Sequence, residues 1–107
     1  MIFTREILQQ TEEFAALCAA SKVGISPVRD QSVDDLVESV RQADTQLGSS
    51  LRAFLDGYRR WYEFHLNIET EGRAGRLTPE DSSTLADLRT ALESARHQFI
   101  NTLTRRA

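Results

Sequence analysis

The chain has 107 residues, of which 40% are apolar and 27% charged, and Gly and Pro together number only seven. That length makes one domain with a modest core, and that composition excludes a disordered or fibrous chain. The net charge is −3: residues 1–50 hold four Lys/Arg against eight Asp/Glu, and residues 51–107 hold nine Arg against eight Asp/Glu, so neither half has the basic excess that sequence-independent phosphate binding needs.

The fold class read from the pattern is all-α, since Val, Ile and Thr are scattered rather than alternating. A first helix is predicted over about residues 4–20. Thr4 is positioned to cap it, and Ile7, Thr11, Phe14 and Cys18, with Leu17, share one face taken as its core face. Cys18 is the single cysteine, so no internal disulfide forms and a reducing, cytoplasmic setting fits. Glu12 and Glu13 interrupt the apolar run before Cys18, which argues against a lipoprotein signal. No apolar stretch reaches the roughly 18 residues of a membrane span. Gly24 suits the helix stop, and residues 22–31, with Ser26-Pro27, form a connector.

A second helix is predicted from Ser32 to about Glu69. Ser32 caps it, and Asp34 and Asp35 sit near the positive end of its dipole. Val33, Val40, Leu47, Phe54, Trp61 and Ile68 then recur every seven residues, one apolar seam along about ten turns. Gly48 and Gly57 lie inside it, each expected to cost roughly 1 kcal/mol relative to Ala. A break near Gly48 is the alternative. The unbroken seven-residue phase favours one continuous or kinked rod, roughly 55 Å long.

Gly72 and Gly75 end that helix. Thr78-Pro-Glu-Asp81 opens a third over about residues 79–104, with Thr78 as cap and Pro79 at the first helical position. Leu85, Leu88, Leu92, Ala95, Phe99 and Leu103 form its apolar stripe. The expected architecture is a single domain over residues 1–107. Its three antiparallel helices form an elongated bundle about a long central one, completed to a four-helix cross-section by homodimerisation. The alternative is a monomeric four-helix bundle broken near Gly48.

Five of the eight aromatics, Phe54, Tyr58, Trp61, Tyr62 and Phe64, fall within eleven residues and spread over about 160° of helix surface. One neighbouring helix needs a stripe of about 100°, so two neighbours are implied, one of them from another subunit. Twelve of the thirteen basic residues are Arg. A GC-rich genome or an interface, where the rigid guanidinium outperforms lysine, would each produce that bias. The expected function is therefore a small bacterial-type cytosolic adaptor, regulator, chaperone or inhibitor, non-enzymatic, binding itself and another protein. Phe54, Tyr58, Trp61, Tyr62 and Phe64 would form the contact, flanked by Arg59 and Arg60. A structural subunit of a larger assembly is a further alternative.

An enzymatic alternative rests on Arg60 and His65. They fit the pattern Arg, four residues, His, and Arg59 fits it with five. This six-residue stretch resembles the short signature of HEPN-type ribonucleases, all-helical dimers in which arginine and histidine from both subunits act on the RNA phosphate and the attacking 2′-hydroxyl. The resemblance implies metal-independent RNA cleavage at a site shared across a dimer, because Arg60 and His65 of one helix point about 140° apart. The polar residue usual after the arginine is Trp61 here. His65 with Glu69 and Glu93 with His97 are spaced four apart, as helix-stabilising pairs are, and the Glu-x-x-His spacing of di-iron bundles is absent. No cofactor, metal or nucleic-acid partner is expected. The third helix presents Glu80, Asp81, Asp87 and Glu93 beside Arg89 and Arg96, not the basic face of a recognition helix.

Overall fold

A computed structural model describes residues 4–73 and 75–105. Local capping decides where each helix begins. The Thr4 hydroxyl accepts the Ile7 N–H at 3.2 Å and opens α1, Arg5–Lys22. Gly24, at φ +74°, carries the chain out of α1 through the left-handed region that glycine tolerates. The Ser32 hydroxyl accepts the Asp35 N–H at 3.1 Å and opens α2, Val33–Ala43. At the far end Thr78 and Asp81 cap each other. The Asp81 N–H donates to the Thr78 hydroxyl (3.1 Å) and the Thr78 N–H to the Asp81 carboxylate (3.3 Å), opening the last helix, α4, Pro79–Arg105.

The long central rod does not exist. The chain breaks at Asp44, and the stretch from Ser32 to Glu69 becomes α2 and a separate α3, Thr45–Thr70. Asp44 closes one helix and opens the next. Its backbone N–H donates to the Val40 carbonyl at 2.8 Å, its backbone is extended (φ −148°, ψ 101°), and its carboxylate accepts the Leu47 N–H at 3.1 Å. Gly48, the suspected breaker, lies inside α3 at the point where α2 passes. A Cβ there would stand 2.7 Å from the Arg41 backbone nitrogen. Its missing side chain permits the close approach of two helices.

The seven-residue phase survives this break because α2 folds back along α3 and both turn the ladder inward. Val40, Leu47, Phe54 and Ile68 are buried, and Val33 and Trp61 are partly buried. Asp34, at the start of α2, reaches Arg52 (3.0 Å) and Arg59 (3.3 Å) well along α3. The start of α1 lies at the other half of α3. The Thr4 N–H donates to the Tyr62 hydroxyl at 3.0 Å and Arg5 pairs with Glu63 at 2.6 Å. Helix α4 runs antiparallel to α3, with Leu92 beside Gly57 and Phe99 stacked on Phe54 at 5.6 Å.

The result is four helices and no strand among the described residues. Helix α3 packs against all three others, and α4 leans chiefly on α3. Leu47, Leu51, Leu55, Val37 and Val40 are fully buried in a core that α1 closes with Ala16, Ala19 and Ala20. Extents of 47 × 27 × 17 Å and a radius of gyration of 15.4 Å describe an elongated molecule. A compact chain of this length would have a radius near 13 Å. No helix among the described residues is long and apolar enough to cross a membrane.

Candidate protein-docking face

The aromatic segment expected to face a partner mostly turns inward. Phe54 and Tyr62 are buried. Tyr58 stands half-buried between them, with ring centroids 6.1 Å from Phe54 and 5.5 Å from Tyr62. Trp61 and Phe64 are also half-buried, and the Trp61 ring meets His65 edge-on at 4.5 Å. The width of this aromatic stripe does reflect two neighbours, as its spread implied, but α1 and α4 of the same chain supply contacts on both sides. Tyr62 and Leu66 meet Leu8 of α1, while Phe54 meets Phe99 of α4.

Arg59 is enclosed too. Its guanidinium bonds Glu12 of α1 and Asp34 of α2, so one side chain of α3 ties down both neighbours. Burial opposes its charge, but Glu12 and then Asp34 more than compensate, holding its pKa above the ordinary arginine value. Asp34 is held below the usual carboxylate range, first by its hydrogen bond to Arg52 and, against the opposing effect of burial, by Arg59. Of the seven residues expected to make the contact, Arg60 alone is exposed.

Arg60 and His65 sit on one unbroken helix, α3, and so point about 140° apart. Burial lowers the His65 pKa against the pull of Glu69. One carboxylate oxygen of Glu69 is itself buried without a hydrogen-bond partner. No group of three or more His, Cys, Asp or Glu among the described residues is arranged to hold a metal ion.

The open apolar surface lies elsewhere, on α1 and α4. The face of α1 read as its core face points outward: Phe14 is 70% exposed, Leu17 46% and Ile7 42%. Buried in their place are Leu8, Glu12, Ala15, Ala16, Ala19 and Ala20. The physical reason is close packing. Alanines let the α1 backbone approach α2 and α3, and the bulky residues are left on the opposite side. Beside them α4 presents Ile100, 41% exposed. Between the two helices lies a cleft of about 240 Å³ whose walls include Ala15, Cys18, Phe54, Phe99 and Ile100, with Phe14 and Arg96 also lining it. A second hollow of about 440 Å³, formed by Leu17, Cys18, Ser21, Lys22 and Leu103, also borders Phe14.

Comparison with protein-family models, curated proteins and solved structures gives no match.

A polar cleft of about 450 Å³ lies between α3 and α4, lined by Gln46, Ser49, Gln98, Asn101 and Arg105 among others. The Ser50 and Thr102 hydroxyls in it donate to carbonyls of their own helices, Leu47 (2.9 Å) and Gln98 (2.8 Å). No histidine, cysteine or carboxylate lines it, so it offers no pair for nucleophilic or acid–base chemistry. In the sequence the larger residues of α1, Ile7, Phe14 and Leu17, read as its core face, whereas the structure packs its alanines there.

Proposed function

We propose that this chain is a non-enzymatic protein–protein interaction module, acting as an adaptor, regulator, chaperone or inhibitor. It works by burying an apolar helical surface against another apolar surface. The contact is assigned to the α1–α4 face, with Phe54 at its floor and the remaining aromatics of α3 supporting it from within. The observation that carries this reading is Phe14, a large aromatic 70% exposed beside an apolar cleft. Contiguous exposed apolar patches on a small protein mark interaction sites, and buried aromatics dominate the energy of the contacts they enter.

The test is affinity capture from a cell extract with the wild-type chain and with Phe14→Asp, helical content being checked by circular dichroism. Proteins retained by the wild type and lost with the variant are expected. A retained set indifferent to Phe14→Asp overturns the assignment.

The second reading, RNA cleavage by Arg60 and His65 across a dimer, has one observation in its favour. Burial lowers the His65 pKa, which favours the neutral imidazole that a general base requires. Metal-independent RNA cleavage that His65→Ala abolishes would establish it and displace the interaction reading.

A further inference from the structure

We propose that an acidic amphipathic helix of a partner protein lies in the groove between α1 and α4, its apolar residues in the groove and its carboxylates on Arg96 and Lys22. This rests on the interaction reading and gives its partner a chemistry.

The groove follows from the directions of the helices. Both α1 and α4 run antiparallel to α3: Thr4 meets Tyr62 and Glu12 meets Arg59, while Leu92 meets Gly57 and Phe99 meets Phe54. The two therefore run parallel to each other. Both pack on α3 and hardly on one another, which leaves a trough between them with Phe54 in its floor. Its two hollows, of about 240 Å³ and 440 Å³, share Phe14, Cys18 and Leu103 and so are continuous. Along α1 the trough extends from Thr11 to Lys22, about three turns or roughly 17 Å.

Backbone chemistry selects the kind of occupant. Among the described residues there is no strand, and the peptide groups along α1 and α4 are bonded within their own helices. The groove therefore has no open edge to which an extended chain could add. A chain lying against its apolar walls must satisfy its own peptide groups, and a helix does so. Three turns are enough for anchors at i, i+3 or i+4, and i+7. An apolar cavity of about 150 Å³ admits a benzene ring, so each hollow takes at least one large side chain.

Charge selects the composition of that helix. The chain has sixteen acidic residues against thirteen Lys/Arg, yet the only charged residues lining the two hollows are Arg96 and Lys22. The nearby acids of α1 face other ways. Glu12 is buried against Arg59, and Glu13 lines a separate hollow with Pro27 and Leu36. Arg96 pairs with Glu93 at 3.4 Å, and both side chains are well exposed, so a partner carboxylate can replace that contact at little cost. Arg96 belongs to the first hollow and Lys22 to the second, so the two cations stand at opposite ends of the trough. A single anionic headgroup, as on a fatty acid or a phosphorylated side chain, reaches one of them. An elongated helix with acidic residues along its borders reaches both.

The experiment is an NMR titration of the isotope-labelled full chain with two synthetic helical peptides of about 18 residues. One carries leucines at helical spacing and glutamates along both borders of that stripe. The other has lysine in place of every glutamate. The acidic peptide should shift resonances of α1 and α4, Phe14 and Ile100 among them, and bind at least roughly tenfold more tightly than the basic one. Combining Lys22→Glu with Arg96→Glu should invert that preference, and Phe14→Asp should weaken both peptides. All three side chains are exposed, so the variants are expected to fold, and circular dichroism checks each. An acidic peptide that does not bind at about 1 mM overturns the inference. So does equal affinity for the two peptides, or a preference that survives the charge reversal. Dodecanoate shifting the same residues where the acidic peptide does not would give the groove to a fatty acid, and a dimer that excludes the peptide would give it to a second copy; either result overturns the acidic helix. Capture from the cell extract separates this inference from the interaction reading. Partners lost with Phe14→Asp but kept by the charge-reversed chain leave that reading standing and remove the acidic helix. If Phe14→Asp keeps them too, both fail together.

Discussion

Replacing Gly48 and Gly57 by alanine, one at a time, separates the broken helix from the rod. Both lie in the interior of α3. On helix propensity alone each change should stabilise by about 1 kcal/mol. Their surroundings differ. At Gly57 an added Cβ would meet the Leu92 Cα at 3.4 Å, an ordinary van der Waals contact, so Gly57→Ala should be neutral or stabilise by up to about 1 kcal/mol. At Gly48 the Cβ would fall 2.7 Å from the Arg41 backbone nitrogen and closer still to the Arg41 Cα and Cβ. Backbone cannot swing aside as a flexible side chain can, so α2 must move away from α3. Overpacking of this kind costs roughly 1–3 kcal/mol, and after the propensity gain the net loss is up to about 2 kcal/mol. For a chain of this size that is a fall in Tm of up to roughly 10 °C. Thermal unfolding followed by circular dichroism at 222 nm reads both variants. A continuous helix through residue 44 would place Arg41 and Gly48 on one rod, with nothing pressing on the glycine. A Tm raised by Gly48→Ala would therefore refute the folded-back arrangement of α2 and α3.

Arg59→Met leaves Glu12 buried without its partner and should cost about 2–3 kcal/mol in urea unfolding, less than a fully buried pair because Arg59 is 32% exposed. Replacing both residues by leucine should recover much of that loss, and a cost below about 0.5 kcal/mol for the single change would remove Arg59 as a tie between α1, α2 and α3. The Asp44→Ala variant loses the cap that accepts the Leu47 N–H and should cost about 1 kcal/mol, whereas an exposed helical aspartate would give almost no change. Acid should weaken the fold in two steps. His65 has a lowered pKa, so the unfolded chain binds its proton more readily; stability then falls as pH drops through about 6.5 towards the folded value, and His65→Gln should abolish that step. Asp34 has a lowered pKa as well, so its stabilisation is complete above about pH 4 and is lost as pH falls through the folded value. Urea titrations from pH 8 to pH 3 test both signs, and a fold that strengthens between pH 7 and pH 5 would contradict the first.

The helix termini were legible because capping is local. Thr4, Ser32 and Thr78 each bond an amide three residues ahead, and the helices they open begin where those hydroxyls placed them. Helix α4 was legible for a similar reason: Leu92 and Phe99 are buried, and Leu85, Leu88, Ala95 and Leu103 partly so, at spacings of three and four residues. The break at Asp44 was not legible in this way. An aspartate that caps and an aspartate on a helix surface look the same in a sequence, and the seven-residue ladder continued past it. The inward turn of the aromatic segment was not legible for a related reason: an aromatic that fills a join between helices and one left for a partner look alike in a sequence, and Tyr62 and Phe54 fill the joins of α3 with α1 and α4.

By itself the sequence determined the fold class, the starts of α1, α2 and α4 and the side of α4 that faces inward. Each of these depends on hydrogen bonds or periodicity within a few turns of one helix. The tertiary structure decided that the chain folds back at Asp44, that Gly48 serves close approach, and that α1 turns its alanines in and Phe14 out. Those outcomes depend on how near two helix backbones can come, a quantity set by both partners together and present in neither segment alone.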